Sequence, residues 1–492
     1  MHKNSFDPEI IMYPTFDPIV RQDGGAYQEH CYNDARLASK SLELLNCMVC
    51  RQSNVVHQLS KDAASEKSFY RFLHNKRVSP SEMIDQLYQP YIANLSQRDL
   101  IVIGDTSEVS LKANISNIED RERVGVLSDN KTPGFFLHSH LVVDAHSGHG
   151  LGLSDLQLWM RPKSTLPKRK KVMGDQRSWS EKETYCWMQG IIHSEQVLEA
   201  ARSILYVFDS HADISNLWSH SEGSSFDLLI RVQQHNRILA SKEGKLFDLL
   251  DQLPVSGHYD LDLRALTRRN YSKNKEQNRT KRLARMEVRF HPCRLKLESE
   301  KGTTDLLVYG IDARENPASV PAGEDSVHWR LLTTRPVETL EQAMKMIRNY
   351  EWRWQTEELY RTAKRKGFAI EQTQLTKLDA IFKQTILSLE AAFRVLRLVM
   401  SRDKDSQQPI DEIFSAEEIQ CLSLLNQRYE GKTQKLRNPW SKDQLAWAAW
   451  VIARLGGWKG YQSKRPPGPI RMKRGLDRFN TYFDAWNLFK MG

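Results

Sequence analysis

Two short apolar runs, Leu100-Ile101-Val102-Ile103-Gly104 and Ile204-Leu205-Tyr206-Val207-Phe208, each lead directly into an aspartate, Asp105 and Asp209. Runs of this length and composition read as buried strands. Each strand is expected to end at its aspartate and deliver a carboxylate to the point where backbone leaves a sheet. An unpaired charge is costly there, so each aspartate must be hydrogen-bonded, paired or bound to a cation. For either one alone, turn capping by a strand-ending Asp is the plain alternative.

The surrounding sequence extends the sheet. Strand-like patterns cover 135–144, 151–160 and 226–232, and a helical stretch is expected over 196–203, which together describe a mixed α/β layer. Further strand-like runs at 259–263, 286–290, 306–311 and 327–333 have no long helix between them and predict a β-rich insertion at about 235–335. Helices are expected over 34–50 and 63–73 near the start, and over 337–366 and 375–400 after the insertion. The second of these later helices carries Leu378, Phe382, Leu389, Phe393 and Leu396 on one stripe. The tail from Lys404 is basic and helical, broken by Pro466-Pro467-Gly468-Pro469.

At 492 residues the chain exceeds the size of one growing core, so two or three domains are expected. The organisation read from the patterns is a helical part at 1–78, a sheet domain at 79–403 and a helical part at 404–492. Lys and Arg outnumber Asp and Glu by 71 to 61, and the pI of about 9.1 gives a surface that attracts polyanions. Charge alone leaves nucleic acid, anionic membrane and acidic protein open. No stretch of 18 apolar residues occurs and the start of the chain has no signal-peptide pattern, so the expectation is a soluble protein of the cytoplasm. Six cysteines in so long a chain do not make a disulfide framework. Cys47-Met48-Val49-Cys50 has no second pair to complete a zinc site and reads as two helix-packed thiols.

A third carboxylate changes the reading of the two aspartates. Tyr350, Arg353, Glu357 and Lys364 stand at offsets of 0, +3, +7 and +14, which on one continuous helix places them on a single face. A phenol, a guanidinium, a carboxylate and an ammonium on one stripe suit a phosphate held beside a metal ion. A solvated ladder of ion pairs is the alternative.

With these residues in place the chain resembles the DDE transposases of bacterial insertion sequences, in the insertion-sequence-four group. The family's Tyr-x2-Arg-x3-Glu-x6-Lys signature is matched by Tyr350, Arg353, Glu357 and Lys364. Its first catalytic aspartate, in an Asp-Thr-x setting, corresponds to Asp105-Thr106-Ser107. Its second, in Asp-x3-Asp-Ile, corresponds to Asp209 through Asp213-Ile214. The resemblance spans nearly the whole chain, from Lys67-Ser68-Phe69-Tyr70-Arg71-Phe72 through Leu158-Trp159-Met160-Arg161-Pro162 and Val327-His328-Trp329-Arg330 to Ile452-Ala453-Arg454-Leu455-Gly456-Gly457. The chain departs from the family at Ser210-His211, where Arg-Glu is frequent, and at Gln355, where a basic residue is usual.

The resemblance implies an RNase H-like, retroviral-integrase-like α/β core with a β-rich insertion, flanked by helical N- and C-terminal domains. The insertion accounts for the 148 positions from Asp209 to Glu357, too many for a compact connection. It implies cut-and-paste transposition, in which transposon ends are nicked, the element is excised through a hairpin, and its 3′-OH ends are joined to target DNA. Asp105, Asp209 and Glu357 would be both catalytic residues and ligands of two Mg2+ ions, with Mn2+ as a substitute. Tyr350, Arg353, Lys364 and Arg361 would hold DNA, and Trp329 would stack on a flipped base. Double-stranded DNA would be the partner, the first domain binding the transposon end and the last joining two copies into a homodimer. A DNA-binding regulator descended from such an enzyme is the rival class, against which the intact triad argues. An RNase H-like nuclease without transposition is a third, disfavoured by the whole-length match.

Three further signals are weaker. Arg268, Arg269, Lys273, Lys275, Arg279, Lys281 and Arg282, within 264–285, are either a DNA-contacting loop or a solvated hairpin tip. Lys168-Arg169-Lys170-Lys171 suits phosphate contact or a plain loop. His138 and His140 share a strand face but lack the carboxylate spacing of a zinc site.

Overall fold

The computed structural model describes residues 34–51, 53–92, 95–163, 177–234, 237–240, 244–263, 265–270, 275–366, 368–402, 408–460 and 467–490. The strands of its first half are β1 (Asp99–Ser110), β2 (Gly134–Asp144), β3 (Gly150–Trp159), β4 (Ser203–Phe208) and β5 (Asp227–Arg231). Then follow β6 (Gly257–Leu263), the small hairpin β7 (Leu266–Asn270) and β8 (Lys275–Arg279), β9 (Arg282–Ser299), β10 (Gly302–Glu315) and β11 (His328–Thr333).

Nine of these strands form one mixed sheet in the order β3-β2-β1-β4-β5-β11-β10-β9-β6. β1, β4 and β5 run parallel, whereas β2 is antiparallel to both β1 and β3. β11 pairs antiparallel with β5, so the strands expected as an insertion continue the sheet. β9 and β10 are longer than the expected 286–290 and 306–311. Their paired register runs unbroken from Met286 with Glu315 to Ser299 with Gly302.

Helices cover both faces. α1 (Ala35–Arg51), α2 (Val56–Leu59), α3 (Ala63–Leu73) and α4 (Pro80–Ile92) precede the sheet. α5 (Cys186–Val197), α6 (Ser215–His220) and α7 (Leu246–Gln252) lie between strands. α8 (Leu340–Glu351), α9 (Trp354–Arg361) and α10 (Leu378–Ser401) follow the last strand, and α11 (Ala416–Tyr429), α12 (Leu445–Leu455) and α13 (Pro469–Lys490) complete the chain. The expected helix at 63–73 is α3, started by a reciprocal cap in which Asp62 accepts from the Ser65 N–H. The one expected at 196–203 is not there. The helix is α5, earlier in the chain, because Trp187, Gly190, Ile191 and Ser194 are its buried positions, and past Leu198 the chain turns into β4.

Strand alternation explains why both apolar runs are uninterrupted. Leu100, Val102, Ile204, Tyr206 and Phe208 pack toward Trp187, Ile191, Leu217, Trp218 and Leu250 of α5 to α7. Ile101, Ile103, Leu205 and Val207 face the other core, shared with α8 to α10. The predicted stripe of α10 is buried throughout, and α10 packs against α1, α3, α4, α12 and α13. The N- and C-terminal helices therefore share a core with the sheet. No helix of the described residues is long and apolar enough to cross a membrane.

Candidate active site

Register fixes the two aspartates relative to one another. The parallel pairing of β1 with β4 ends at Ile103 opposite Val207. Asp105 and Asp209 each stand two residues further on, at the same level of neighbouring strands, and by alternation project to the face of Ile103 and Val207. Asp209 leaves the sheet as expected. Asp105 does not: β1 continues to Ser110, and Asp105 remains paired with Ser139 of β2. The strand outlives its β4 neighbour because β2 supports it for its whole length. Between the two levels, Gly104 is obligatory, since a Cβ there would lie 2.5 Å from the Phe208 ring.

The single continuous helix expected over 337–366 is broken. α8 stops at Glu351, and Arg353, Gln355 and Thr356 donate their N–H groups three residues back, to Tyr350, Trp352 and Arg353, in a tight turn that opens α9. Tertiary contacts impose the break. Gly148, at φ +72°, presses against the Trp352 ring, and Gln355 Nε2 donates to the Gly148 carbonyl at 3.0 Å. A second irregularity, a π-turn over Thr362–Lys366, follows α9. The four signature residues thus arrive from four local settings: Tyr350 from the end of α8, Arg353 from the cap of α9, Glu357 from its first turn, and Lys364 from the π-turn.

Arg353 draws the carboxylates together. Its Nη1 donates to Asp105 Oδ2 at 3.0 Å, and its Nη2 donates to Glu357 Oε1. Its guanidinium lies over the Tyr350 ring, 6.0 Å from the centroid, and the Tyr350 ring meets Trp329 edge to face at 6.0 Å. Burial, followed by the charges of Asp209 and Glu357, pushes Asp105 up to about 7 even though Arg353 opposes the shift. Arg353 is correspondingly held above its ordinary range: burial works against its charge, but Asp105, Tyr350, Glu357 and Asp209 outweigh it. Asp209 accepts from the His211 N–H at 2.9 Å and bonds the His211 ring at 2.8 Å.

Other expected residues divide. Trp329 is half-buried beside Tyr350, within the cluster. Lys364 lies on the flank, donating to the Glu108 carbonyl and lying 3.5 Å from Ser107 Oγ on β1. Arg361 is half exposed and pairs with Glu358, outside the contacts that join the carboxylates. In the basic stretch, Arg282 pairs with Glu315 and Glu324, which makes it structural. Arg264 and Lys273 lie outside the described residues, as does the run Lys168-Arg169-Lys170-Lys171. His138 and His140 are fully buried. Among the described residues no three His, Cys, Asp or Glu side chains converge so as to hold a metal ion, at this pair or elsewhere.

The structure adds partners absent from the sequence reading. Tyr360 donates to the Asp105 carbonyl at 2.7 Å and lies 2.8 Å from Ser139 Oγ. Thr106 donates its N–H to Asp105 Oδ1 at 2.8 Å, and its hydroxyl meets His138 Nδ1 at 2.8 Å. The adjacency of His211 to Asp209 was a usable signal; the Tyr360 contact, across 221 and 255 positions, was not. No protein-family model matches the chain.

Proposed function

We propose that the chain is a cut-and-paste DNA transposase of the DDE type, with Asp105, Asp209 and Glu357 as its catalytic carboxylates. The observation that carries this reading is the link between strand and helix: Asp105 and Asp209 stand level at neighbouring parallel strands, and Arg353 joins Asp105 to Glu357 of α9. The strand order β3-β2-β1-β4-β5, with β2 alone antiparallel to its two neighbours among these five, supports an RNase H-like core.

The donor chemistry fits two divalent cations. Three carboxylates supply hard oxygen ligands of the kind Mg2+ and Mn2+ take; Asp105 is raised chiefly by its burial, and the charges of Asp209 and Glu357 add to that shift. Such ions, when bound, supply activation of the attacking oxygen and stabilisation of the leaving one in an in-line phosphodiester displacement. In the arrangement described, Arg353 is the counter-charge of Asp105 and Glu357.

The chain's own residues do the rest. Arg353 offers a planar fork suited to a bidentate grip on phosphate oxygens, and the Tyr350 ring beneath it keeps it at the carboxylates. Trp329, edge-on to Tyr350, supplies an aromatic face on which an unstacked base can rest. Lys364 on the flank of β1 and Arg361 on the exposed side of α9 add positive charge along a DNA path. DNA ends and target DNA are then the substrates, and a homodimer is the form that brings two ends together.

The test is Mg2+-dependent cleavage of a plasmid carrying the DNA that flanks this reading frame, with wild type beside Glu357→Ala. Cleavage at both flanks, lost in the variant, supports the reading. Binding of the flanks without cleavage by either protein favours a regulator descended from a transposase.

A further inference from the structure

We propose that Tyr360 is a positioning residue that sets the height of the Glu357 helix against the Asp105 strand, and so the spacing of the carboxylates that share a cation. The inference rests on the reading of Asp105 and Glu357 as one site. Tyr360 lies one turn beyond Glu357 on α9 and is buried, with 6% of its surface exposed. Its phenol has a single proton, used on the Asp105 carbonyl at 2.7 Å, so the Ser139 hydroxyl at 2.8 Å donates to the phenol oxygen. Ser139 is the register partner of Asp105 on β2. One side chain therefore ties the helix carrying the third carboxylate to two strands, at the residue carrying the first.

The surroundings make this a fixed point. Burial, with Asp105 adding to it, keeps the Tyr360 proton in place far above neutral pH. On the same strand Thr106 holds the Asp105 carboxylate by its N–H and bonds His138 of β2 by its hydroxyl. Lys364, four residues past Tyr360 and within the π-turn, donates to the Glu108 carbonyl on β1. A helix so anchored cannot slide along β1, and a slide is the displacement that would change the separation of Glu357 from Asp105. Positioning of ligand side chains by such supporting contacts is a general requirement of metal sites.

The experiment is a Mn2+ titration of the full chain without DNA, read by electron paramagnetic resonance, for wild type, Asp105→Asn, Tyr360→Phe, Ser139→Ala and Tyr206→Phe. Tyr206→Phe is the control, because its phenol bonds Glu195 at 2.8 Å on the opposite face of the sheet. Expected are loss of binding in Asp105→Asn, about three- to tenfold weaker binding in Tyr360→Phe, a smaller weakening in Ser139→Ala, and wild-type binding in Tyr206→Phe. Loss in Asp105→Asn with wild-type binding in Tyr360→Phe overturns the proposal alone. Equal weakening in Tyr360→Phe and Tyr206→Phe also overturns it, since that is general loosening. Wild-type binding in Asp105→Asn overturns the reading of the site and the proposal with it.

Discussion

The guanidinium of Arg353 donates to Asp105 at 3.0 Å while pairing with Glu357, so one cationic side chain spans two carboxylates that, under the proposed function, would hold metal. Arg353 and a divalent cation then compete for the same negative charge. A unit and a double positive charge about 6 Å apart repel by on the order of 1.4 kcal/mol even in water, a factor of about ten, and burial of Arg353 and Asp105 makes the repulsion larger. Arg353→Ala is therefore expected to bind Mn2+ at least about tenfold more tightly and yet, under the proposed function, to cleave DNA more slowly for want of a phosphate grip. A titration paired with a cleavage assay reads both, and weaker Mn2+ binding would refute the competition.

Acid sensitivity should arise in the buried histidines. Burial pushes His140 down to about 4, and burial with the neighbouring His140 pushes His138 down to about 3. Unfolded, both take up protons near pH 6.5, whereas the folded protein excludes them until far lower pH. Their contribution is present in full above about 6.5 and is lost as pH falls toward 4 and then 3, on the order of 3 kcal/mol for His140 and 5 kcal/mol for His138. Denaturant unfolding of wild type and the double variant His138→Gln, His140→Gln between pH 7 and 4 should give a flatter pH slope for the variant; parallel slopes would exclude this source.

Gly148 seats the helix break. A Cβ on it would lie 2.5 Å from the Trp352 ring, in a left-handed backbone conformation at φ +72° that side chains disfavour. Gly148→Ala should cost at least about 2 kcal/mol in thermal unfolding and lower cleavage by displacing the turn that presents Arg353. An unchanged melting temperature would show that the turn adapts.

Lys383 docks the N-terminal helices. Its fully buried ammonium donates to the Asn75 carbonyl at 2.9 Å and the Leu73 carbonyl at 3.3 Å, at the end of α3. Lys383→Met removes the donor from both and is expected to cost about 1–3 kcal/mol, with faster proteolysis between α3 and α4. Equal proteolysis rates would place the docking elsewhere.

What the sequence disclosed follows from the range of the forces involved. The β1 and β4 runs, α3 and the stripe of α10 were legible because local pattern and burial agree there. So was the grouping of Tyr350, Arg353 and Glu357. The break at Trp352 was not, since Glu351-Trp352-Arg353-Trp354 has no local helix breaker; a glycine turn some 200 residues earlier in the chain imposes it. The continuation of β1 beyond Asp105 was hidden for the same reason, being stabilised by a neighbour strand. Tyr360 passed as an ordinary core aromatic, because its role lies in where its hydroxyl ends.

The pairing of β11 with β5 makes the late strands part of the same plate as the aspartates. Two strand spacings, about 10 Å, separate β11 from β4. Backbone hydrogen bonding joins the strands across that interval, β4 to β5 as far as Phe208 and β5 to β11 from Leu331. Trp329 at the start of β11 and Asp209, one residue past β4, are thus graduations on one ruler, and under the proposed function a nucleotide held at the first mark would be measured off against the second.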